Sequence, residues 1–217
     1  MTPCVLLPGL LGVALQGLLF LGVCVALLWK KTFDAPPRSW AVFLADSSKQ
    51  FVGAGWLHAL NMLCSWGLER HVRRGDACDW YFVNVVVDCT LGVALEYTLM
   101  RAWSGLISWL GTPELSAALE SGNYYEPVGY GEDARFQLMS YAKQLALWLF
   151  IVTQMKVLVV LLLLGAQRGF LQAADVVLGS IPNGEAKLVT VMVAVPFVMN
   201  VLQVCLVDAF LKRAAQA

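Results

Sequence analysis

Two ionisable residues of opposite sign lie deep inside apolar stretches of this chain: Asp88 in the run Trp80–Trp103 and Lys156 in the run Gln144–Ala166. Glu96 follows Asp88 in the same run, and Asn84 precedes it by one helical turn on the same face. An unpaired charge at mid-depth in a membrane costs about 3 kcal/mol on insertion scales. Two such costs would consume much of the roughly 5–15 kcal/mol that holds a fold together. These side chains are therefore expected to face one another, with Lys156 meeting Asp88 or Glu96 and Asn84 extending the network.

A second polar set is expected at one end of the bundle. Asp46 and Lys49 stand at the start of the second run and Asp208 near the end of the last. Gln50, His58 and Asn61 continue along one side of the second helix, while Asn200 and Gln203 follow Pro196 in the last. Pro196 removes a backbone donor and is expected to kink its helix. Ionisable groups inside a membrane mark ion paths or proton relays by default, but the same residues can pair across helices and fix their packing. The packing reading is preferred. No pair of interrupted helices recurs in two halves, and five spans do not divide into an inverted repeat.

Catalytic readings find less support. Ser47, Ser48 and Lys49 supply the ingredients of a serine–lysine nucleophile pair, yet adjacent helical residues point about 100° apart. Helix-start capping by Asp46 or Ser47 explains them better. His58 and His71 are the two histidines, and neither belongs to a His-x-x-x-His or Gly-x-Ser-x-Gly pattern. His58 is expected to be a packed, hydrogen-bonded histidine. No Cys-x-x-Cys spacing occurs among the six cysteines, so no metal or cofactor site is expected. Cys78 is the cysteine placed clearly in a loop. A disulfide with Cys64 would require that loop to be lumenal, and thiols are the preferred expectation.

The elements that carry these residues are membrane-spanning helices. Of 217 residues, 59% are hydrophobic and 14% charged, well below the roughly 25% charge of soluble domains. Five apolar runs, Val5–Trp29, Phe51–Leu68, Trp80–Trp103, Gln144–Ala166 and Leu188–Leu211, are long enough as helices to cross an apolar layer of about 30 Å. Lipid leaves the backbone no partner, and period-two alternation is absent, so helices are preferred to a barrel. The fold class is all-α, a polytopic helical bundle with a polar loop over residues 104–143. The first run has no basic residue before it and ends in Lys30 and Lys31, the reverse of a cleavable signal, so it is expected to remain attached.

Lysine and arginine are retained on the cytosolic side. Threading the runs places Lys30, Lys31, Arg38, Lys49, Arg101, Arg135, Lys143, Lys212 and Arg213 together, with the amino terminus outside. Arg70, Arg73, Arg74, Arg168 and Lys187 fall on the other side. Within 104–143, Leu106, Ile107, Trp109, Leu110 and Leu115 suit a short interfacial helix, and Tyr124, Tyr125 and Tyr130 suit the headgroup layer. A plain connector packed beneath the bundle is the alternative. Net charge is zero, with no basic stripe, which argues against nucleic acid as a partner and leaves membrane lipids and other membrane proteins.

The ordered set Asp46-Ser-Ser-Lys-Gln50, His58, Asn61, Cys78, Tyr81, Asn84, Asp88 and Gly92, then Lys187-Leu188, Val195-Pro196-Phe197, Asn200, Val207-Asp208 and Phe210-Leu211 resembles the STIMATE family. The likeness runs over about residues 10–211 in the same order. It implies a multi-pass protein of the endoplasmic reticulum, or of the vacuolar membrane in fungal relatives, that regulates or scaffolds and does not catalyse. The family's animal member is implicated in store-operated calcium entry. That implicated role is to help the STIM-type calcium sensor change conformation and to support contacts between endoplasmic reticulum and plasma membrane. The family-like positions include Lys156 and Pro196 beside those already named, with no ligand role carried over. Two departures are expected to matter. The sequence stops at Ala217, where the animal protein has a long charged cytosolic tail, and Glu96 is unusual, standing in for a different carboxylate partner of Lys156.

Overall fold

The computed structural model describes residues 10–34, 37, 39–71, 77–111, 113–120, 122–126 and 135–214. Its helices are α1 Leu10–Lys31, α2 Trp40–His71, α3 Ala77–Val87, α4 Val93–Leu110, α5 Pro113–Leu119, α6 Leu138–Gly165, α7 Gln167–Gly179, α8 Gly184–Val189 and α9 Val195–Ala214. A π-helical turn over Asp88–Gly92 joins α3 to α4, and another over Thr190–Ala194 joins α8 to α9. A two-residue antiparallel ladder, β1 Tyr125–Glu126 with β2 Arg135–Phe136, is the sheet structure among the described residues. The fold is all-α, as the apolar runs imply.

Among the described residues, three rods are long and apolar enough to cross a membrane: Asp79–Leu110, Leu138–Gly165 and Gly184–Ala209. The expectation from the sequence was five. α2 is the more polar rod, carrying Asp46, Lys49, Gln50, His58 and Asn61. It begins at Trp40 instead of Phe51, so Asp46 and Lys49 lie inside a helix and not at its start. Ser39 supplies the cap, its hydroxyl accepting from the Val42 amide at 3.3 Å. That corrects the capping role assigned to Asp46 or Ser47.

α6 shows why the bundle closes as it does. Gln144, Trp148, Ile151, Val152, Met155, Lys156, Val159 and Leu163 are buried and recur at helical spacing, forming one stripe. Phe150, Val157 and Leu161 on the other sides are exposed. α6 packs on α2 and α4, α1 packs on α9, and α9 also meets α2, α3 and α4. The core joins Leu57, Val83, Val87, Val93, Trp148, Val152, Met155, Val159 and Val207. Charged groups such as Asp46, Lys49, Asp88, Glu96, Lys156 and Asp208 are buried while large aliphatic side chains face outward. A protein stabilised against water has the opposite arrangement, and outward apolar faces of this extent suit lipid.

Residues 104–143 are not one loop. α4 runs on to Leu110, α5 follows, and α6 already begins at Leu138. Trp109 and Leu110 are exposed, but Tyr124 is fully buried, which corrects its placement in the headgroup layer. Gly122 has a φ of 93°, a left-handed conformation that glycine adopts without strain. It turns the chain so that Tyr124 enters the bundle, and the Gln137 amide then donates to the Tyr124 carbonyl at 2.7 Å. The described part of the connector around Tyr124 therefore packs against the bundle end. The burial of Tyr125 and Leu115 is not described, and Tyr130 lies outside the described residues.

Residues 167–183 carry no helix in the sequence reading, yet α7 lies there and packs Ala174 and Leu178 inward against α3. Its short amphipathic stripe fell between the long apolar runs. A Cβ on Gly53 would collide with the buried Trp148 indole, whereas Gly55 has nothing within 4 Å. Gly53→Leu is expected to cost about 1–3 kcal/mol by overpacking and to lower the thermal unfolding midpoint in detergent. Gly55→Leu should leave that midpoint in place, and equal midpoints for the two variants would contradict the α2–α6 packing.

Candidate functional site

The middle layer is organised by Lys156. Its ammonium donates to both Asp88 oxygens at 2.9 Å and to Asn84 Oδ1 at 3.1 Å, which occupies all three of its protons. Asn84 in turn donates to the Trp80 carbonyl at 3.1 Å, and the Asn61 side chain hydrogen-bonds the Asp88 carboxyl. One lysine on α6 thereby ties together α3, the π turn and, through Asn61, α2. Lys156 pairs with Asp88 and not with Glu96. Glu96 is buried, and its Oε2 accepts no hydrogen bond.

The π turn that begins at Asp88 shapes this layer. An extra residue in the turn shifts the register of the helix beyond it, and the next residue, Cys89, donates its thiol to Gln203 Oε1 on α9 at 3.1 Å. Asn200 Oδ1 lies 3.9 Å from the same sulfur. Gly92 closes the turn beneath Met155, where a Cβ would come within 3.1 Å of the sulfur. The second π turn ends two residues before Pro196. The Val195 amide reaches back to the Thr190 carbonyl, so the disruption expected at the proline appears as a widened turn just ahead of it.

The second layer occupies the end where α1 and α9 finish and α2 and α6 begin. Lys30 pairs with Asp208, and Gln50 Nε2 donates to the same carboxylate at 3.5 Å. Lys49 donates to Gln144 Oε1 at 3.1 Å and lies 3.5 Å from Asp46. Tyr124 donates its hydroxyl to Asp46 Oδ1 at 2.5 Å, and the Lys49 ammonium sits 4.9 Å from the Tyr124 ring centre, within cation–π range. Ser48 Oγ contacts the Tyr141 hydroxyl at 2.7 Å and donates to the Ala45 carbonyl at 2.8 Å. Lys49 thus contacts Gln144, Asp46 and Tyr124.

Sequence reasoning names Asp46, Lys49, Gln50 and Asp208 for this end but misses Lys30, Tyr124, Gln144 and Tyr141 as their partners. Lys30 serves there only as an orientation marker, and Gln144 and Tyr141 fall at the edge of an apolar run. His58 is exposed, which corrects its expected packing: on α2 it faces away from the stripe of Gln50, Gly53 and Leu57. Cys64 is a free, half-buried thiol, and the Cys78 side chain lies outside the described residues. Among the described residues no group of three or more His, Cys, Asp or Glu side chains could hold a metal ion.

A family model described as STIMATE family matches residues 78–213, more than half of the chain. The vacuolar membrane protein YPL162C of Saccharomyces cerevisiae is 29% identical over 216 residues, covering 93% of this chain and 77% of that protein. No solved structure matches.

Asp88→Asn would leave the Lys156 ammonium buried beside a neutral group. Removing one partner of a buried ion pair typically costs about 3–5 kcal/mol, so folded yield and thermal midpoint should both fall. Asp88→Leu combined with Lys156→Met removes both charges and should recover most of that loss. A double variant as damaged as the single one would contradict the pairing. Tyr124→Phe should cost about 1–3 kcal/mol by leaving Asp46 short of a donor, and an unchanged midpoint would exclude that contact.

Proposed function

The chain belongs to the STIMATE family, and on that premise we propose that it is a non-catalytic regulator or scaffold of store-operated calcium entry. In this reading it acts from the endoplasmic reticulum membrane at junctions with the plasma membrane, engaging a STIM-type calcium sensor or other membrane proteins through its outward helix faces. The observation that carries the reading is the pairing of the internal lysines. Lys156 spends its three protons on Asp88 and Asn84, and Lys30 is held by Asp208. Such a network favours interhelical fixation over a pathway whose groups must bind and release a passing ion.

Exposed apolar residues on several helices, among them Leu21 and Val25 on α1 and Val198 and Leu202 on α9, give partner helices a surface to pack on. The vacuolar name of the Saccharomyces cerevisiae relative makes the vacuolar or lysosomal membrane the alternative location, and imaging of a terminally tagged chain decides between them. One observation favours a second reading, a small ion or solute transporter using Asp88, Glu96 and Lys156: the buried Glu96 carboxyl with its unbonded oxygen.

Cells lacking the chain are expected to show reduced calcium influx after store depletion, restored by re-expression. Normal influx with normal clustering of the sensor would reject the regulatory role. Flux through liposomes holding the purified chain, abolished by Asp88→Asn, would favour transport instead.

A further inference from the structure

Among the described residues, Glu96 stands apart from the other acids of the bundle interior. Asp88 has Lys156, Asp208 has Lys30, and Asp46 has Lys49 and Tyr124. Glu96 is 2% exposed, and its Oε2 is a buried oxygen that accepts no hydrogen bond. The groups around it do not supply a counter-charge. From α6, Lys156 has its protons directed at Asn84 and Asp88. From the π turn come the Asp88 carboxylate, close enough to repel a charge on Glu96, and the Cys89 thiol, which donates to Gln203. Gln203 and Asn200 of α9, which face the Cys89 sulfur, are neutral amides.

A carboxylate removed from water without a cation or donors takes up a proton instead of remaining charged. The acid form needs no counter-ion, and its hydroxyl gives the buried oxygen a donor's role. We propose that Glu96 is a reversible proton-binding site in the middle of the bundle, occupied at neutral pH and separate from the Lys156–Asp88 pair. The site exists whether the bundle scaffolds or transports, because it concerns the resting protonation of one side chain. The ligand is a proton and not a metal cation, since among the described residues no cluster of three or more His, Cys, Asp or Glu side chains could hold a metal ion.

The test uses the full chain in liposomes and dicyclohexylcarbodiimide, an apolar reagent that reacts with protonated carboxyls. The carboxyl proton passes to a reagent nitrogen, the carboxyl oxygen bonds the central carbon, and rearrangement leaves a stable N-acylurea that peptide mass mapping locates. At neutral pH the label is expected on Glu96, with none on the paired Asp88 or on the solvent-exposed Glu120 and Glu185. The labelling rate should fall by about tenfold for each pH unit above the titration midpoint, and should recover when pH is returned before the reagent is added. An infrared band of a protonated carboxyl, present in the wild type and absent from Glu96→Gln, gives a readout that needs no reagent access. Because an amide copies a neutral acid, that variant should fold with an unchanged thermal midpoint. A spectrum without that band would overturn the proposal, whatever the label shows. So would labelling that does not respond to pH, or protection of Glu96 by sodium at constant pH.

Discussion

The cost of placing an ammonium in hydrocarbon governs this structure. Lys156 is buried on a helix face otherwise lined by Ile151, Val152, Met155 and Val159, so its solvation must come from other side chains. Its two contacts with Asp88 and one with Asn84 convert that cost into a restraint: α3, the π turn and α6 must keep one register, or a charge is left bare. Apolar packing alone would not impose this. Leucine and valine faces slide past each other with little change in area buried, whereas the ion pair accepts a single alignment. The π turn at Asp88–Gly92 is the adjustment by which α3 presents Asp88 to Lys156 while α4 still packs against α6.

The end layer applies the same rule with more partners. Lys30, Lys49, Asp46 and Asp208 come from α1, α2 and α9, and Tyr124 and Gln144 are contributed by the connecting segment and by α6. Tyr124 enters because Gly122 can take a positive φ, so one permissive residue in the connector lets a buried carboxylate gain a donor. The two layers together fix both the mid-plane and one end of the bundle. The outer faces remain apolar and free to meet lipid or other helices.

Much of this was readable in the residues. Asp88 and Lys156 declared themselves because two opposite charges in separate apolar runs have few other solutions, and Asn84 followed from its helical offset. The end cluster was legible as far as its charged members. What stayed hidden depended on tertiary routes: Tyr124 looked like an interfacial tyrosine because nothing local signals that a loop folds inward, and Gln144 looked like a helix margin. His58 shows the reverse error, since a polar residue in an apolar run need not face the core when its helix has an exposed side. The π turns carry no composition of their own, and α7 is too short and too mixed to register beside runs of twenty residues.

The contact between the Lys156 ammonium and the Asp88 carboxylate must survive within a bilayer if it sets the register of the bundle. Solid-state NMR on the chain in lipid, with nitrogen-15 at the Lys156 side chain and carbon-13 at the carboxyl groups, measures it directly. Dipolar coupling from Lys156 Nζ should dephase the Asp88 carboxyl carbon strongly, in keeping with the 2.9 Å bridge, and leave Glu96 little affected. Coupling to Glu96 instead, or to no carboxyl at all, would contradict that role for the pair.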